Sequence, residues 1–128
     1  MIFGIGTDIV SIVRMQQGLE RHGERFAQRI LDADEYRDYS KSPKPAAFLA
    51  KRFAAKEAAV KALGLGFSRG ISMQHVSVGH DDNGRPLLCL SGTAKIIADE
   101  LGVGESFLSL ADEQDHAIAY VILLKKSH

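Results

Sequence analysis

Alanine recurs at every fourth position from Ala46 to Ala62, in a segment that begins after Pro45 and ends at Gly64. Alanine is the best helix former, and residues four apart lie on the same face of a helix. The pattern therefore predicts a long helix with a column of small side chains that can press closely against a sheet or another helix. Proline fits the first turn of such a helix, which places the start of the helix near Pro45.

Four charged residues interrupt this apolar helix: Arg52, Lys56, Glu57 and Lys61. If the alanine column is buried, the charged side is expected to face a cleft. A carboxylate that binds a hard cation, with amines about one turn away, is an arrangement suited to polyphosphates. A purely structural interpretation also fits, because a glutamate four residues before a lysine is a common helix-stabilising pair.

Length and composition bound the class of protein. The 128 residues form one domain (1–128), and the contents of 45% apolar and 25% charged residues are typical of a globular protein. The net charge is zero, but residues 14–61 carry eleven Lys or Arg against seven Asp or Glu. This half suits an anionic partner, whereas the chain as a whole lacks the basic character of a protein that binds duplex nucleic acid.

The single cysteine and the N-terminus predict a cytoplasmic protein. Cys89 has no partner within the chain and lies in an apolar run, so we expect a small core residue in a reducing compartment. The N-terminal residues lack the basic leader of a signal peptide, and the longest apolar run (117–124) is too short to cross a membrane.

The order of the predicted elements favours an α+β fold, with an antiparallel sheet packed against the long central helix. Strands are predicted at 2–8, 75–80, 87–90, 106–110 and 117–125, the last two as a hairpin. Ser11 is expected to cap a helix that ends near Gly23, and Asp32 or Asp34 to cap a short helix through Tyr39.

Asp8 ends the first predicted strand, directly after Gly6 and Thr7. A carboxylate in that position can share a metal ion with a helical Glu57. Two carboxylates completed by phosphate oxygens and water form a typical magnesium site. A lone aspartate at a strand end is more often a turn or cap residue, so this observation needs Glu57 beside it.

Together these two motifs resemble a known family. Residues 4–10 (GIGTDIV) and 52–64 (RFAAKEAAVKALG) look like the paired signature of holo-acyl-carrier-protein synthases, the small trimeric class of phosphopantetheinyl transferases. The similarity extends to residues 25–31 (RFAQRIL), 83–86 (NGRP) and 108–113 (LSLADE).

The resemblance implies a phosphopantetheinyl transferase-like fold and a reaction. Coenzyme A donates its phosphopantetheine arm to a serine of apo-acyl carrier protein, releases adenosine bisphosphate and so supports fatty acid biosynthesis. Asp8 and Glu57 would hold magnesium, and Lys61 would contact the phosphates. Either Glu57 or a metal-bound water is the candidate general base. Further candidate contacts to coenzyme A are Lys44, Arg52, Gly64, Pro86 and Ser109.

The resemblance also implies two protein partners. A face with Arg14 and Arg21, followed by Arg25, would receive the acidic recognition helix of the acyl carrier protein. Glu20 and Glu24 lie close by, so a solvated face of mixed charge is the alternative. In the family the active site lies between subunits, which implies a homotrimer.

One position departs from the family pattern. Many relatives have histidine two residues before the serine that corresponds to Ser109, and this chain has Phe107. A role of that histidine cannot be transferred. Phe107 could stack, but it is expected to fill space. Two other functions stay open: a non-catalytic module that binds an acidic protein through the Arg14 face, and a metal-dependent phosphohydrolase.

Overall fold

The computed structural model describes residues 1–127. Helices and strands alternate irregularly along the chain, and a 3-10 turn (Met73–His75) precedes the second strand. The elements are β1 (Ile2–Ser11), α1 (Ile12–His22), α2 (Glu24–Ile30), α3 (Ala33–Ser40), α4 (Pro45–Leu63), β2 (Val76–His80), β3 (Pro86–Leu90), α5 (Gly92–Leu101), β4 (Val103–Asp112) and β5 (His116–Lys125). None of the helices in residues 1–127 has the length and apolar character needed to span a bilayer.

Two antiparallel sheets form, which confirms the predicted α+β class. The larger sheet has the order β1-β5-β4, and the predicted hairpin supplies its β4 and β5 strands. β2 and β3 pair separately as a two-stranded sheet. This separation was not predicted, because alternation along a strand does not tell which strand it will pair with.

Helix α4 packs across one face of the larger sheet, as the alanine column predicts. All five alanines of the column are buried. Gly4 and Gly6 of β1 face the helix, and a Cβ atom at either position would collide with the carbonyl oxygen of Ala62 or Ala58. The lack of side chains at Gly4 and Gly6 and the small methyl groups of the alanines therefore bring the backbone of β1 directly against α4.

The ends of the helices follow the capping signals in the sequence. Ser11 accepts a hydrogen bond from the backbone N–H of Arg14, and Asp32 forms a reciprocal capping box with Glu35. Gly64 ends α4 in the left-handed conformation with φ of 83°, which a residue with a side chain rarely adopts. Asp32 is thus the cap of α3, rather than Asp34.

The opposite face of the larger sheet carries large apolar side chains that no helix covers. β1 presents Ile9, which is 62% exposed, and β5 presents Tyr120, which is 46% exposed. We call this surface the open sheet face, and it comprises Ile5, Ile9, Phe107, Ile118 and Tyr120. An apolar patch of this kind on a soluble protein commonly marks an interaction surface.

The prediction that Cys89 is a core residue is wrong. Cys89 lies on β3 of the two-stranded sheet and is exposed. Leu88 and Leu90, its neighbours on the strand, pack against the core instead. The apolar run around Cys89 suggested burial on both faces, but β3 alternates because only one of its faces is covered.

Candidate active site

A cleft of about 550 Å³ opens between β1, α1, α2 and α4. Asp8 and Glu57 both line it, so the two predicted metal ligands, 49 positions apart in the chain, meet at one place. Met15, Phe26 and Phe53 supply apolar walls. A cleft with apolar walls and a few convergent charged groups is the usual form of a small-molecule site.

The strand geometry explains why Asp8 points into this cleft. Gly6, two residues earlier, faces α4, and side chains two apart on a strand lie on the same face. Thr7 therefore points the other way, and its hydroxyl donates a hydrogen bond to the carbonyl oxygen of Ala119 at 3.0 Å. β1 is thus held on both of its faces, by α4 at Gly6 and by β5 at Thr7. This arrangement places the carboxylate of Asp8 beside the last turns of α4.

Lys61 joins Asp8 to the end of α4. Its Nζ donates hydrogen bonds to Asp8 Oδ1 at 2.8 Å and to the carbonyl oxygen of Thr7 at 3.2 Å. The side chain of Asp8 is 15% exposed, whereas that of Lys61 is 51% exposed. The hydrogen bond to Asp8 is the largest influence on the ammonium and raises the pKa of Lys61.

Glu57 lies where its negative charge is unfavourable. Burial is the main cause that raises the pKa of its carboxyl group, and the charge of Asp8 raises it further, while Lys61 acts in the opposite direction. Two carboxylates that repel each other in a partly buried cleft attract a cation, because a positive charge between them relieves the repulsion.

The two carboxylates fit a magnesium ion whose remaining ligands come from elsewhere. Within residues 1–127, no group of three or more His, Cys, Asp or Glu side chains could enclose a metal. Magnesium is typically held by one or two carboxylates together with substrate phosphates and water, rather than by a complete protein cage. The donor set of Asp8 and Glu57 matches that pattern.

Positive side chains lie beside the carboxylates. Arg14 and Arg21 of α1 line the same cleft as Asp8 and Glu57. An adjoining cleft of about 290 Å³ is lined by Arg21, Arg25 and Arg29, with Phe26 between them. The predicted group of Arg14, Arg21 and Arg25 therefore forms one surface, and the structure adds Arg29 to it. Arg25 and Arg29 are four residues apart and lie on one face of α2, so the sequence spacing could have indicated Arg29 as well.

Three other predicted contacts lie away from this cleft within the same chain. Lys44 is at the N-terminal end of α4 and lines a separate cleft with Asp112 and Glu113. It is about 25 Å from Lys61 along the helix axis. Pro86 begins β3, and Ser109 is exposed on β4, where it pairs with Tyr120 of the open sheet face. Their roles remain predictions.

Gly64 lies directly after the helical turn that carries Lys61. Gly64 follows Lys61 by three residues in the sequence, and a Cβ atom at Gly64 would meet nothing within 4 Å. This backbone is accessible to a ligand that passes the end of α4. The predicted contact with coenzyme A at Gly64 is untested.

The expectation that the whole charged side of α4 faces a cleft is wrong for Lys56 and Arg52. The Nζ of Lys56 is fully buried and donates to Glu35 Oε1 at 2.7 Å and to the carbonyl oxygens of Met73 and Val76. Burial lowers the pKa of Lys56 despite the attraction of Glu35. Lys56 thus joins α4 to α3 and β2 instead of binding phosphate.

Arg52 is also buried. Its contact with a phosphate of coenzyme A stays a prediction. Its guanidinium carbon lies 4.3 Å from the centre of the Phe48 ring, and its Nε is 3.8 Å from Glu35 Oε2. Nε has no hydrogen-bond partner among the described residues. Burial, more than any neighbouring charge, lowers the pKa of Arg52.

Phe107 occupies the position where many relatives have histidine, and the structure places it on the open sheet face. The guanidinium of Arg85 lies 5.9 Å from the centre of the Phe107 ring, within the range of a cation–π contact. This geometry favours stacking over the space-filling role that was expected for Phe107.

Comparisons with known proteins identify the family. A sequence model described as the 4′-phosphopantetheinyl transferase superfamily matches residues 4–121. The holo-[acyl-carrier-protein] synthase of Halorhodospira halophila is 56% identical over 124 residues, which cover 97% of this chain and 98% of that protein. The chain belongs to the holo-[acyl-carrier-protein] synthases. It is therefore an enzyme of the phosphopantetheinyl transferase class, as the resemblance implied.

Solved structures agree with this assignment. The crystal structure of the synthase from Neisseria meningitidis is 40% identical, with a TM-score of 0.93 over 98% of this chain and all of that one. The synthase from Bacillus anthracis, in complex with CoA (3′,5′-ADP), is 33% identical, with a TM-score of 0.82 over 98% of this chain and 99% of that one. The fold is that of a phosphopantetheinyl transferase.

Proposed function

We propose that this enzyme transfers the phosphopantetheine arm of coenzyme A to a serine of apo-acyl carrier protein. The observation that carries the proposal is the meeting of Asp8, Glu57 and Lys61 at one cleft. In the transfer, the serine oxygen bonds to the phosphorus that bears the pantetheine arm, and the anhydride bond to the second phosphorus breaks. Adenosine 3′,5′-bisphosphate leaves, and the serine proton passes to a base.

Asp8 and Glu57 would hold a magnesium ion against the diphosphate of coenzyme A. The chemistry that such an ion supplies is neutralisation of the charge that develops as the anhydride breaks. Lys61 adds a positive charge at the end of α4, and Gly64 lets the phosphates pass close to the backbone. Either Glu57 or a water bound to the metal would accept the serine proton as general base.

The arginine surface beside the cleft is suited to the acyl carrier protein. Arg14 and Arg21 line the cleft itself, and Arg25 and Arg29 extend the surface along α2. An acidic helix bound there would present its serine towards Asp8 and Glu57. Attraction between opposite charges would orient this encounter and weaken as salt is added.

We further propose that the enzyme works as a homotrimer, with each site completed by a second copy. The exposed apolar residues of the open sheet face would be covered by such an assembly. The predicted contacts at Lys44, Pro86 and Ser109 lie away from the Asp8 cleft in one chain, so a neighbouring copy would have to supply some of them. Sedimentation equilibrium should give three times the chain mass of 14.0 kDa. A cytoplasmic location and a role in fatty acid biosynthesis agree with this activity.

Mass spectrometry of apo-acyl carrier protein tests the proposed reaction. Incubation with the enzyme, coenzyme A and magnesium should add the mass of one phosphopantetheine arm. Glu57→Ala should abolish the mass gain without loss of the fold, while Glu100→Ala, at an exposed position near the end of α5, should react normally. An unchanged carrier protein with wild-type enzyme would refute the transfer, and release of phosphate without any carrier protein would support the phosphohydrolase alternative.

A further inference from the structure

Asp8, one of the two predicted metal ligands, already accepts a hydrogen bond from Lys61. Lys61 Nζ lies 2.8 Å from Asp8 Oδ1, and the same ammonium donates to the carbonyl oxygen of Thr7 at 3.2 Å. The acceptor carboxylate is mostly buried, whereas half of the lysine side chain is exposed. The lysine can therefore swing away into solvent, while Asp8 is held in place by its strand.

The ammonium serves here as a tethered counter-ion. Asp8 and Glu57 line one cleft, and a positive charge beside them relieves their mutual repulsion. A divalent cation at the same carboxylates would relieve it more strongly and would repel the ammonium. Lys61 already bonds to Oδ1 of Asp8, and a divalent cation at this carboxylate would lie close to the ammonium, so the two cations compete for Asp8.

From this geometry we propose that Lys61 exchanges partners, binding Asp8 in the unloaded enzyme and moving to a phosphate oxygen of the substrate when a divalent cation takes Asp8. The inference rests on the proposed function, because it assumes a cation at Asp8 and a phosphorylated substrate in the cleft. Lys61 is anchored on the final turn of α4, next to Gly64, so rotation of its flexible side chain suffices and no backbone element needs to move.

The exchange has a consequence for binding order. Before substrate arrives, the ion pair lowers the apparent affinity for the cation, because Lys61 is bound to Asp8 in a fraction of the enzyme molecules. A phosphate that receives the displaced ammonium then favours the cation, and the cation equally favours the phosphate. Metal and coenzyme A are therefore expected to bind cooperatively, beyond the direct contact between them.

Binding of Mn²⁺, used as a probe for Mg²⁺ and followed by electron paramagnetic resonance without coenzyme A, tests the competition. Lys61→Met removes the competitor, and an exposed ion pair of ordinary strength predicts about two- to sixfold tighter binding than in the wild type. Lys61→Arg keeps a tethered cation and should stay close to the wild type. Arg14→Met removes a charge from the same cleft and should have the smaller effect at about 0.15 M salt, where distant charges are screened.

If Lys61→Met binds Mn²⁺ no more tightly than the wild type does, the exchange is overturned. The same conclusion follows if the gain in affinity is no larger than that of Arg14→Met. A second readout uses the wild-type enzyme alone. Saturation with Mg²⁺ should shift the ¹⁵N signal of the Lys61 ammonium to that of a free lysine, and a signal that stays in place would overturn the exchange. These measurements need no carrier protein, so their outcome is separate from the failure or success of phosphopantetheine transfer.

Discussion

Replacing Lys56 with methionine tests what the buried ammonium contributes to stability. Methionine is similar in length and flexible, so it can fill the space of the lysine side chain in α4. The substitution deletes three hydrogen bonds from Nζ: to Glu35 Oε1 at 2.7 Å and to the carbonyl oxygens of Met73 at 2.9 Å and Val76 at 2.5 Å. It also removes the positive charge beside Glu35.

The carboxylate of Glu35 determines the size of the effect. Its side chain is 1% exposed, so water cannot replace the lost ammonium. The backbone N–H groups of Asp32 and Val78 remain bonded to it, both at 3.0 Å, and Arg52 Nε stays 3.8 Å from Oε2, too far for a hydrogen bond, so the charge is compensated only in part. Removal of one partner from a buried ion pair costs about 3–5 kcal/mol. We expect Lys56→Met to lower the free energy of unfolding by about 4 kcal/mol, a large share of the stability of a domain.

Urea denaturation followed by far-UV circular dichroism measures this loss, since the chain has no tryptophan to report by fluorescence. Lys95→Met is the matched control, because Lys95 pairs with Asp99 at 3.0 Å on the surface and should matter by less than about 1 kcal/mol. A loss below about 1 kcal/mol for Lys56→Met, with an unchanged dependence on urea, would refute the argument from burial.

Three further results are expected. Gly6→Ala should lower the free energy of unfolding in urea by about 1–3 kcal/mol, because the new methyl group meets the carbonyl oxygen of Ala58, whereas Gly79→Ala meets nothing within 4 Å; equal losses would contradict the close packing. Arg14→Glu should raise the KM for acyl carrier protein more than that for coenzyme A in steady-state kinetics, and Arg37→Glu on α3 should change neither; equal rises in the two KM values would remove the docking role. Because the pKa of Lys56 is lowered from 10.5, the unfolded chain holds its proton to higher pH than the folded chain does. The stability of the wild type relative to Lys56→Met should therefore rise with pH just below 10.5, and a flat or falling difference in urea titrations would contradict this sign.

The larger features of the fold follow from local patterns. The alanine column predicted a buried helix face, and Pro45 and Gly64 marked where α4 begins and ends. Asp8 and Glu57 were predicted to share a metal ion because Asp8 ends a strand after two small residues, Glu57 lies among amines on α4, and the two motifs together resemble a known family. The structure confirms that both line one cleft, although whether they bind a metal stays a prediction.

The interior position of Lys56 could not be predicted from the same patterns. Burial of a lysine depends on a carboxylate and on backbone carbonyl groups that the chain supplies at the right place. Glu35 is 21 residues away, and the carbonyl groups belong to a short 3-10 turn, at Met73, and to the first residue of β2, at Val76. Helical spacing treats Lys56 and Lys61 alike, as charges on an apolar helix, and only tertiary contacts distinguish them.

The placement of Lys44, Pro86 and Ser109 shows a second limit. Sequence motifs give the chemical types that a site uses, but not whether one copy of the chain supplies all of them. None of these positions lines the Asp8 cleft: Lys44 lines a separate cleft, and Ser109 pairs with Tyr120 of the open sheet face. Only the coordinates show that a single chain leaves them apart.

Lys56 and Glu57 are consecutive residues, yet one is sealed inside the protein and the other opens into the cleft. Each residue of a helix advances by about 100° around the axis. Inserting one residue between Pro45 and Lys56 would turn the carboxylate inward and bring the amine to the cleft, whereas deleting one would turn both side chains inward. α4 can therefore tolerate substitutions but not a change in length, because one rotational register of the helix places Lys56 in the interior and Glu57 in the cleft.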